Sequence, residues 1–176
     1  EGEMGPWYIS CHYGTRTPTS MGLWGQRNGV WYRVREFYYD GRARRRQKTD
    51  EEYADALAEL AGGRDIRAVI VDPAAASFIE TLRRRGWRVR RADNRVLSGI
   101  RLTARLLKAG KLVICPGCGD AIREFALYRW EEQGDGQDRV KKENDHAMDE
   151  IRYFAATVAE RKGGGVYAGC VERGAF

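Results

Sequence analysis

Asn28-Gly29 lies between two runs rich in aromatic and β-branched residues, and this dipeptide is the strongest short-range signal of a tight hairpin. It fixes how the fold begins. Residues 19–25 are the outgoing strand and residues 30–39 (Val-Trp-Tyr-Arg-Val-Arg-Glu-Phe-Tyr-Tyr) the returning one, with partial alternation. Upstream, residues 7–13 (Trp-Tyr-Ile-Ser-Cys-His-Tyr) read as a further strand that Gly14 and Pro18 end. The chain therefore opens with an antiparallel three-strand meander.

The period then changes. Thr49 caps a helix expected over residues 50–61, with Glu52 at the capping-box position and Tyr53, Leu57 and Leu60 as its apolar stripe. Gly62-Gly63 stops it. Residues 66–71 (Ile-Arg-Ala-Val-Ile-Val) are nearly continuous in apolar character, as a parallel strand covered on both faces should be. That run ends at Asp72-Pro73, where a helix is expected to start and run to Arg85. Strands at 87–91 and 111–114 alternate with helices near 95–108 and 119–128. A polar loop (133–139) precedes a last long helix over about 144–161, with Met148, Ile151, Ala155 and Val158 on one side. Gly163–Gly165 ends it, which divides the chain into a domain over 1–162 and a tail over 163–176. The sum is an α/β fold: a mixed sheet, meander first and parallel strands after, with helices on both faces. This order is similar to the layout of the ribonuclease H-like fold.

Size and composition bound the function. The 176 residues suit one domain, and 43% apolar with 32% charged residues describes a globular chain. No apolar run approaches the roughly 18 residues of a membrane span. The acidic first residues, with no apolar stretch after them, do not read as a signal peptide, and Glu1 in place of Met reads as a processed or excised product. Lys plus Arg exceeds Asp plus Glu by 31 to 25, a net charge of +6 that permits a nucleic-acid partner without demanding one. Of the four cysteines only Cys115-Pro-Gly-Cys118 has ligand spacing. A zinc site needs a second pair or nearby histidines, so reduced thiols are the favoured reading.

Two places could carry chemistry. Asp72 ends a buried parallel strand, the edge where α/β sheets place ligands and metals. It could equally cap the helix starting at Pro73. Asn144-Asp145-His146-Ala147-Met148-Asp149 is the second. Helical spacing puts Asp145, His146 and Asp149 on one face, where they could hold a divalent cation or simply favour a helix N-terminus. A strand-end carboxylate and a late-helix carboxylate together are two parts of a two-metal phosphodiesterase, whose ions lie about 3.5–4 Å apart. A third acid should come from residues 7–13, where the only candidate position holds His12.

Several blocks are specific enough to carry a resemblance. They are Tyr8-Ile9-Ser10-Cys11-His12-Tyr13-Gly14-Thr15 with Pro18, Tyr38-Tyr39-Asp40-Gly41-Arg42, Gln47-Lys48-Thr49-Asp50-Glu51-Glu52-Tyr53, and Val71-Asp72-Pro73 with Ala75-Ala76-Ser77-Phe78. Ala92-Asp93-Asn94 with Val96-Leu97, and Lys142 through Asp149 with Arg152-Tyr153, complete the set. Over about residues 7–158 the chain resembles the nuclease domain of phage terminase large subunits, the DNA-packaging motors of tailed phages. The resemblance implies a ribonuclease H-like endonuclease that cuts concatemeric double-stranded DNA using Mg²⁺ or Mn²⁺. Its metal-binding positions map to His12, Asp72 and Asp149, with His146 and Asp145 as neighbours. It also implies the partners of such a motor: an ATPase domain of the same full-length protein, a portal protein and a small terminase subunit. The setting would be the cytoplasm of an infected or prophage-carrying bacterium. No G-x-x-x-x-G-K-[ST] phosphate loop is present, so the chain reads as the C-terminal half of a larger motor.

At position 12 the family has Asp. A neutral imidazole offers one nitrogen, which Mg²⁺ accepts poorly, where a carboxylate can bridge two ions. A unit charge lost at about 4 Å is worth roughly 4 kcal/mol at an effective dielectric of 20. The site is then disabled, or prefers an imidazole-tolerant metal such as Mn²⁺, or is compensated by another acid such as Asp145. Impaired activity on an intact fold, with a one-metal site at Asp72 and Asp149, is the preferred reading. DNA contacts are expected from Arg42, Arg44, Arg45, Arg46 and Lys48, and from Lys141 and Lys142, with Arg83, Arg84, Arg85, Arg88, Arg90 and Arg91 as a further basic group. Each cluster could instead be a solvated, ion-paired surface. With no base-reading motif, contact would be to phosphates and salt-sensitive.

Overall fold

The computed structural model describes residues 3–128 and 145–160. The meander forms as its sequence requires: β1 (Trp7–His12) pairs antiparallel with β2 (Thr19–Arg27), which pairs antiparallel with β3 (Val30–Tyr39). Asn28 and Gly29 both have positive φ, the condition for the two-residue turn between β2 and β3. After α1 (Asp50–Ala61) come β4 (Ile66–Val71), α2 (Ala76–Arg84), β5 (Val89–Arg91), α3 (Val96–Lys108), β6 (Leu112–Ile114), α4 (Gly119–Leu127) and α5 (His146–Phe154). The sheet has six strands in the order β5-β4-β1-β2-β3-β6, with β2 alone running against the rest. This is the expected mixed sheet.

Strand alternation sorts the core into two layers. Ile9, Cys11, Met21, Leu23, Val69 and Val71 pack under α1 and α2. Tyr8, Trp24, Trp31, Ala68 and Ile70 face α3, α4 and α5. Trp24 and Trp31 are thus core residues, Trp24 stacked on Phe154 with centroids 4.1 Å apart. The capping box at Thr49 and Glu52 is present, and Gly62 closes α1 in the left-handed conformation.

Several boundaries differ from expectation; β2, for one, runs on to Arg27 rather than ending at residue 25. The helix after Asp72-Pro73 starts at Ala76 rather than Pro73, because Asp72 first makes a turn: its carboxylate accepts from Ala74 N–H and its carbonyl from Ala75 N–H. The strand expected over 87–91 shortens to Val89–Arg91, since only three residues find partners on β4. The last helix is α-helical only from His146 to Phe154 and continues as a wider π turn over Ala155–Ala159. The expected tail, the 133–139 loop and Asn144 lie outside the described residues. Among the described residues, no helix is long and apolar enough to cross a membrane.

Candidate active site

Strand alternation and the β1–β4 register put two of the expected residues together. Tyr8 and Ser10 face α5, so His12, two residues on, faces it too. Ile70 does likewise on β4, so Asp72 falls on the same face. The parallel register Ser10↔Ile70 and Cys11↔Val71 then makes His12 and Asp72 lateral neighbours at the strand ends. Helix α5 crosses above them. From it His146 Nδ1 comes within 3.3 Å of His12 Nε2, and two turns further the Tyr153 hydroxyl donates to Asp72 Oδ2 at 2.6 Å. Asp149 lies between these two residues on the helix.

Each acid is held by a specific donor. Asp72 does not cap the helix: its Oδ1 accepts from Ala74 N–H at 2.8 Å, stabilising a turn, and its Oδ2 accepts from the Tyr153 hydroxyl. Burial and the Asp72 bond push the Tyr153 phenol far up, so it stays a donor. Asp149 Oδ1 accepts from Arg152 at 2.7 Å. Arg152 is itself buried and anchored to the carbonyls of Asn94 and Arg95 at 2.7 and 3.1 Å. Asp145 sits just before α5, its Oδ1 3.6 Å from His146 Nδ1.

Beneath the centre lies a buried ionic network that the sequence reading did not single out. Glu150, fully buried, accepts two bonds from Arg33 at 3.0 and 2.7 Å, one from Trp24 at 3.2 Å and one from Ser10. Burial pushes the Glu150 carboxyl up, against the pull of Arg33. Gly22 is where these side chains cross the sheet: a Cβ there would stand 2.5 Å from Arg33 Nε and 2.6 Å from Glu150 Oε1. Glu124, also buried, accepts from the Ala147 N–H in the first turn of α5 at 2.6 Å and from the Tyr38 hydroxyl at 2.7 Å. A carboxylate so placed satisfies an otherwise unpaired helix N–H and favours the helix dipole. Glu36 does the same for α4 at Asp120 and Ala121. So α5, which carries His146 and Asp149, is pinned at its N-terminus by α4 and mid-length by β3. The available signal was Arg33 itself, a charge at the same parity as the core residue Trp31.

His12 is packed between His146, Tyr153 and the two acids. Burial pushes it down to about 4, with Asp149 and Asp72 pulling it up and His146 and Arg152 pushing it down, so it is neutral at pH 7. The sign of the consequence follows. The unfolded chain takes up a proton near pH 6.5 that the folded chain refuses until about 4, so stability falls as pH drops through that window. Between about pH 7 and pH 5 this amounts to about 2 kcal/mol. In denaturant unfolding, His12→Asn is expected to lose that much less over the same interval than the parent. Equal losses would contradict the assignment.

Among the described residues, no three His, Cys, Asp or Glu side chains converge as a ready cage. Mg²⁺ does not need one, since it keeps several waters and commonly binds one or two carboxylates plus substrate phosphate. Asp72 and Asp149 are the carboxylates at this centre that such an ion would use. The third expected position is a neutral imidazole 3.3 Å from another imidazole, a donor that Mg²⁺ accepts poorly. Cys118 is buried with its thiol 3.2 Å from the Arg33 carbonyl, and Cys115 and Cys118 close a turn leading into α4.

The basic loop after β3 holds Arg42, Arg44, Arg45, Arg46 and Lys48 at the same sheet edge. Arg46 pairs with Glu52, while Arg44 and Lys48 lie over the Tyr39 ring at 5.5 and 5.0 Å. Of the further group, Arg84 and Arg85 pair with Glu51 and Asp55 on α1, and Arg90 bonds the Thr157 carbonyl. Lys141 and Lys142 lie outside the described residues.

Solved structures similar to this chain share its fold. The large terminase of a thermophilic bacteriophage, in complex with ADP, is 43% identical with a TM-score of 0.87, over 90% of this chain and 40% of that one. This chain therefore spans about 40% of the length of that relative. The P22 large terminase nuclease domain is 19% identical with a TM-score of 0.68, over 85% of this chain and 80% of that one. The large terminase nuclease of thermophilic phage G20c with bound magnesium is 13% identical with a TM-score of 0.66, over 86% and 80%. No family model and no curated protein sequence matches the chain.

Proposed function

From a chain that carries the ribonuclease H-like fold of phage large terminase nuclease domains, we propose a divalent-metal-dependent endonuclease domain of a DNA-packaging motor, acting on concatemeric double-stranded DNA. The observation that carries this reading is the strand-end meeting of Asp72 and His12 with the α5 residues His146 and Asp149. Asp72 and Asp149 would hold one Mg²⁺ or Mn²⁺ ion, with Asp145 and His146 beside it. When bound, the ion supplies charge to the phosphate and lowers the pKa of a water. Tyr153 holds Asp72 in place through its hydroxyl, and Arg152 holds Asp149. His146, through its Nε2, exchanges a proton at a reacting oxygen, since its Nδ1 is turned to His12. Neutral His12 contributes no negative charge, which leaves a second ion unsupported and the activity reduced. DNA phosphates would meet Arg42, Arg44, Arg45, Arg46 and Lys48, together with Lys141 and Lys142. An ATPase domain of the same protein, a portal and a small terminase subunit are the partners this reading brings.

The His12–His146 contact also favours a second reading, a catalytically inactive DNA-binding and motor-docking module of the same fold. Supercoiled-plasmid nicking with Mg²⁺ and with Mn²⁺ separates the two. Slow nicking by the parent, reduced about 100-fold or more in Asp72→Asn, is expected for a metal centre that loses a carboxylate ligand. Salt-dependent DNA binding without any nicking in either metal would leave the second reading.

A further inference from the structure

A cleft of about 490 Å³ opens directly at His146 and runs along the end of β3 between Tyr38, Asp40, Arg44, Asp120 and Arg123. Its two cations are pre-positioned. Arg123, on α4, has its guanidinium 5.4 Å from the Tyr38 ring centroid, and Arg44, in the loop after β3, has its own 5.5 Å from that of Tyr39. Tyr38 and Tyr39 are successive strand residues, so the two guanidiniums flank the end of β3 from opposite faces of the sheet. Stacking of this kind holds a cation without neutralising it.

The acids on the cleft wall are already engaged. Asp40 turns its Oδ1 inward to accept from the N–H groups of Arg42 and Ala43 at 2.9 and 3.0 Å. Asp120 meets Arg123 at 3.1 Å, a half-exposed and therefore weak pair, which a phosphate can displace. Among the described residues Arg44 forms no ion pair. The strand ends of β1, β4 and β3 lie on one edge, because these strands are parallel in the sheet order. Two inter-strand spacings separate β3 from β1, about 10 Å.

We propose that this cleft is the track of the cut strand, with Arg123 and Arg44 gripping its phosphates within a few nucleotides of the scissile one. The proposal rests on the nuclease reading and adds to it a residue outside the basic loop, Arg123. It also ranks Arg44 above its neighbours. The other basic pocket, between Arg16, Arg42, Arg45 and Arg46, has no residue of the centre in its wall.

The test is the salt dependence of binding to a short fluorescent duplex in the absence of divalent metal. Losing one phosphate contact lowers the slope of log K against log salt by about 0.9. Arg123→Gln and Arg44→Gln are each expected to do so, uniformly across duplex sequences, while Arg123→Lys keeps the parent slope. Arg67→Gln, at the opposite edge of the sheet, is expected to change nothing. A parent slope retained in both Arg123→Gln and Arg44→Gln would overturn the track and leave the nuclease reading standing. A parent that shows no salt-dependent binding would remove the DNA-cutting reading and the track together. A slope lost in Arg123→Gln and equally in Arg123→Lys would make Arg123 a packing residue and overturn its role.

Discussion

Arg33→Met is expected to destabilise the fold by about 3–5 kcal/mol, because it leaves the Glu150 carboxylate buried without its cation. Among the described residues, the other hydrogen-bond donors to Glu150 cannot replace Arg33. Ser10 and Trp24 donate to Glu150 but carry no charge. Both partners of the pair are fully inaccessible, so water cannot enter to solvate what remains. At this chain length the loss corresponds to about 6–20 °C in Tm. Glu150→Leu added to Arg33→Met removes the orphaned charge, and the double variant is expected to be more stable than Arg33→Met alone. Urea midpoints of the three proteins decide it. A single variant within about 1 kcal/mol of the parent would mean that α5 is not pinned through this pair.

The second large effect is a gain. His12→Asp is expected to raise plasmid nicking by about 10²–10³-fold, the equivalent of restoring roughly 4 kcal/mol of charge interaction beside the metal. The substitution is costly without metal. It places a third carboxylate beside Asp72 and Asp149, where His12 now sits neutral. The metal-free His12→Asp protein should therefore be less stable than the parent, and added Mn²⁺ should stabilise it more. Nicking no faster than the parent's would sink the account of position 12.

Much of this was legible in the chain because the signals were local. The Asn28-Gly29 turn, the Thr49 capping box and the apolar run of β4 each specify their own element. The blocks around His12, Asp72 and Asp149 were legible as a resemblance, while their meeting at one sheet edge came from the β1–β4 register and the crossing of α5. What escaped the sequence reading was set by contacts far apart in the chain. Glu150 follows Asp149 directly and looks like one more solvated acid, yet it reaches Arg33 on β3. Glu124 sits in a helix of its own and serves the first turn of α5. The start of α2 was misplaced because Asp72 commits its carboxylate to a turn and to Tyr153 rather than to a cap. The break of the last helix into a π turn has no local sequence signal that we can name.

The measurement that bears most directly on the centre is calorimetric Mn²⁺ binding to the parent, His12→Asp and Asp72→Asn, side by side. One ion for the parent, two for His12→Asp and a lost or much weakened site in Asp72→Asn is the predicted result. Two ions on the parent would show that neutral His12 leaves the second position intact. Undiminished binding in Asp72→Asn would show that the metal centre lies elsewhere.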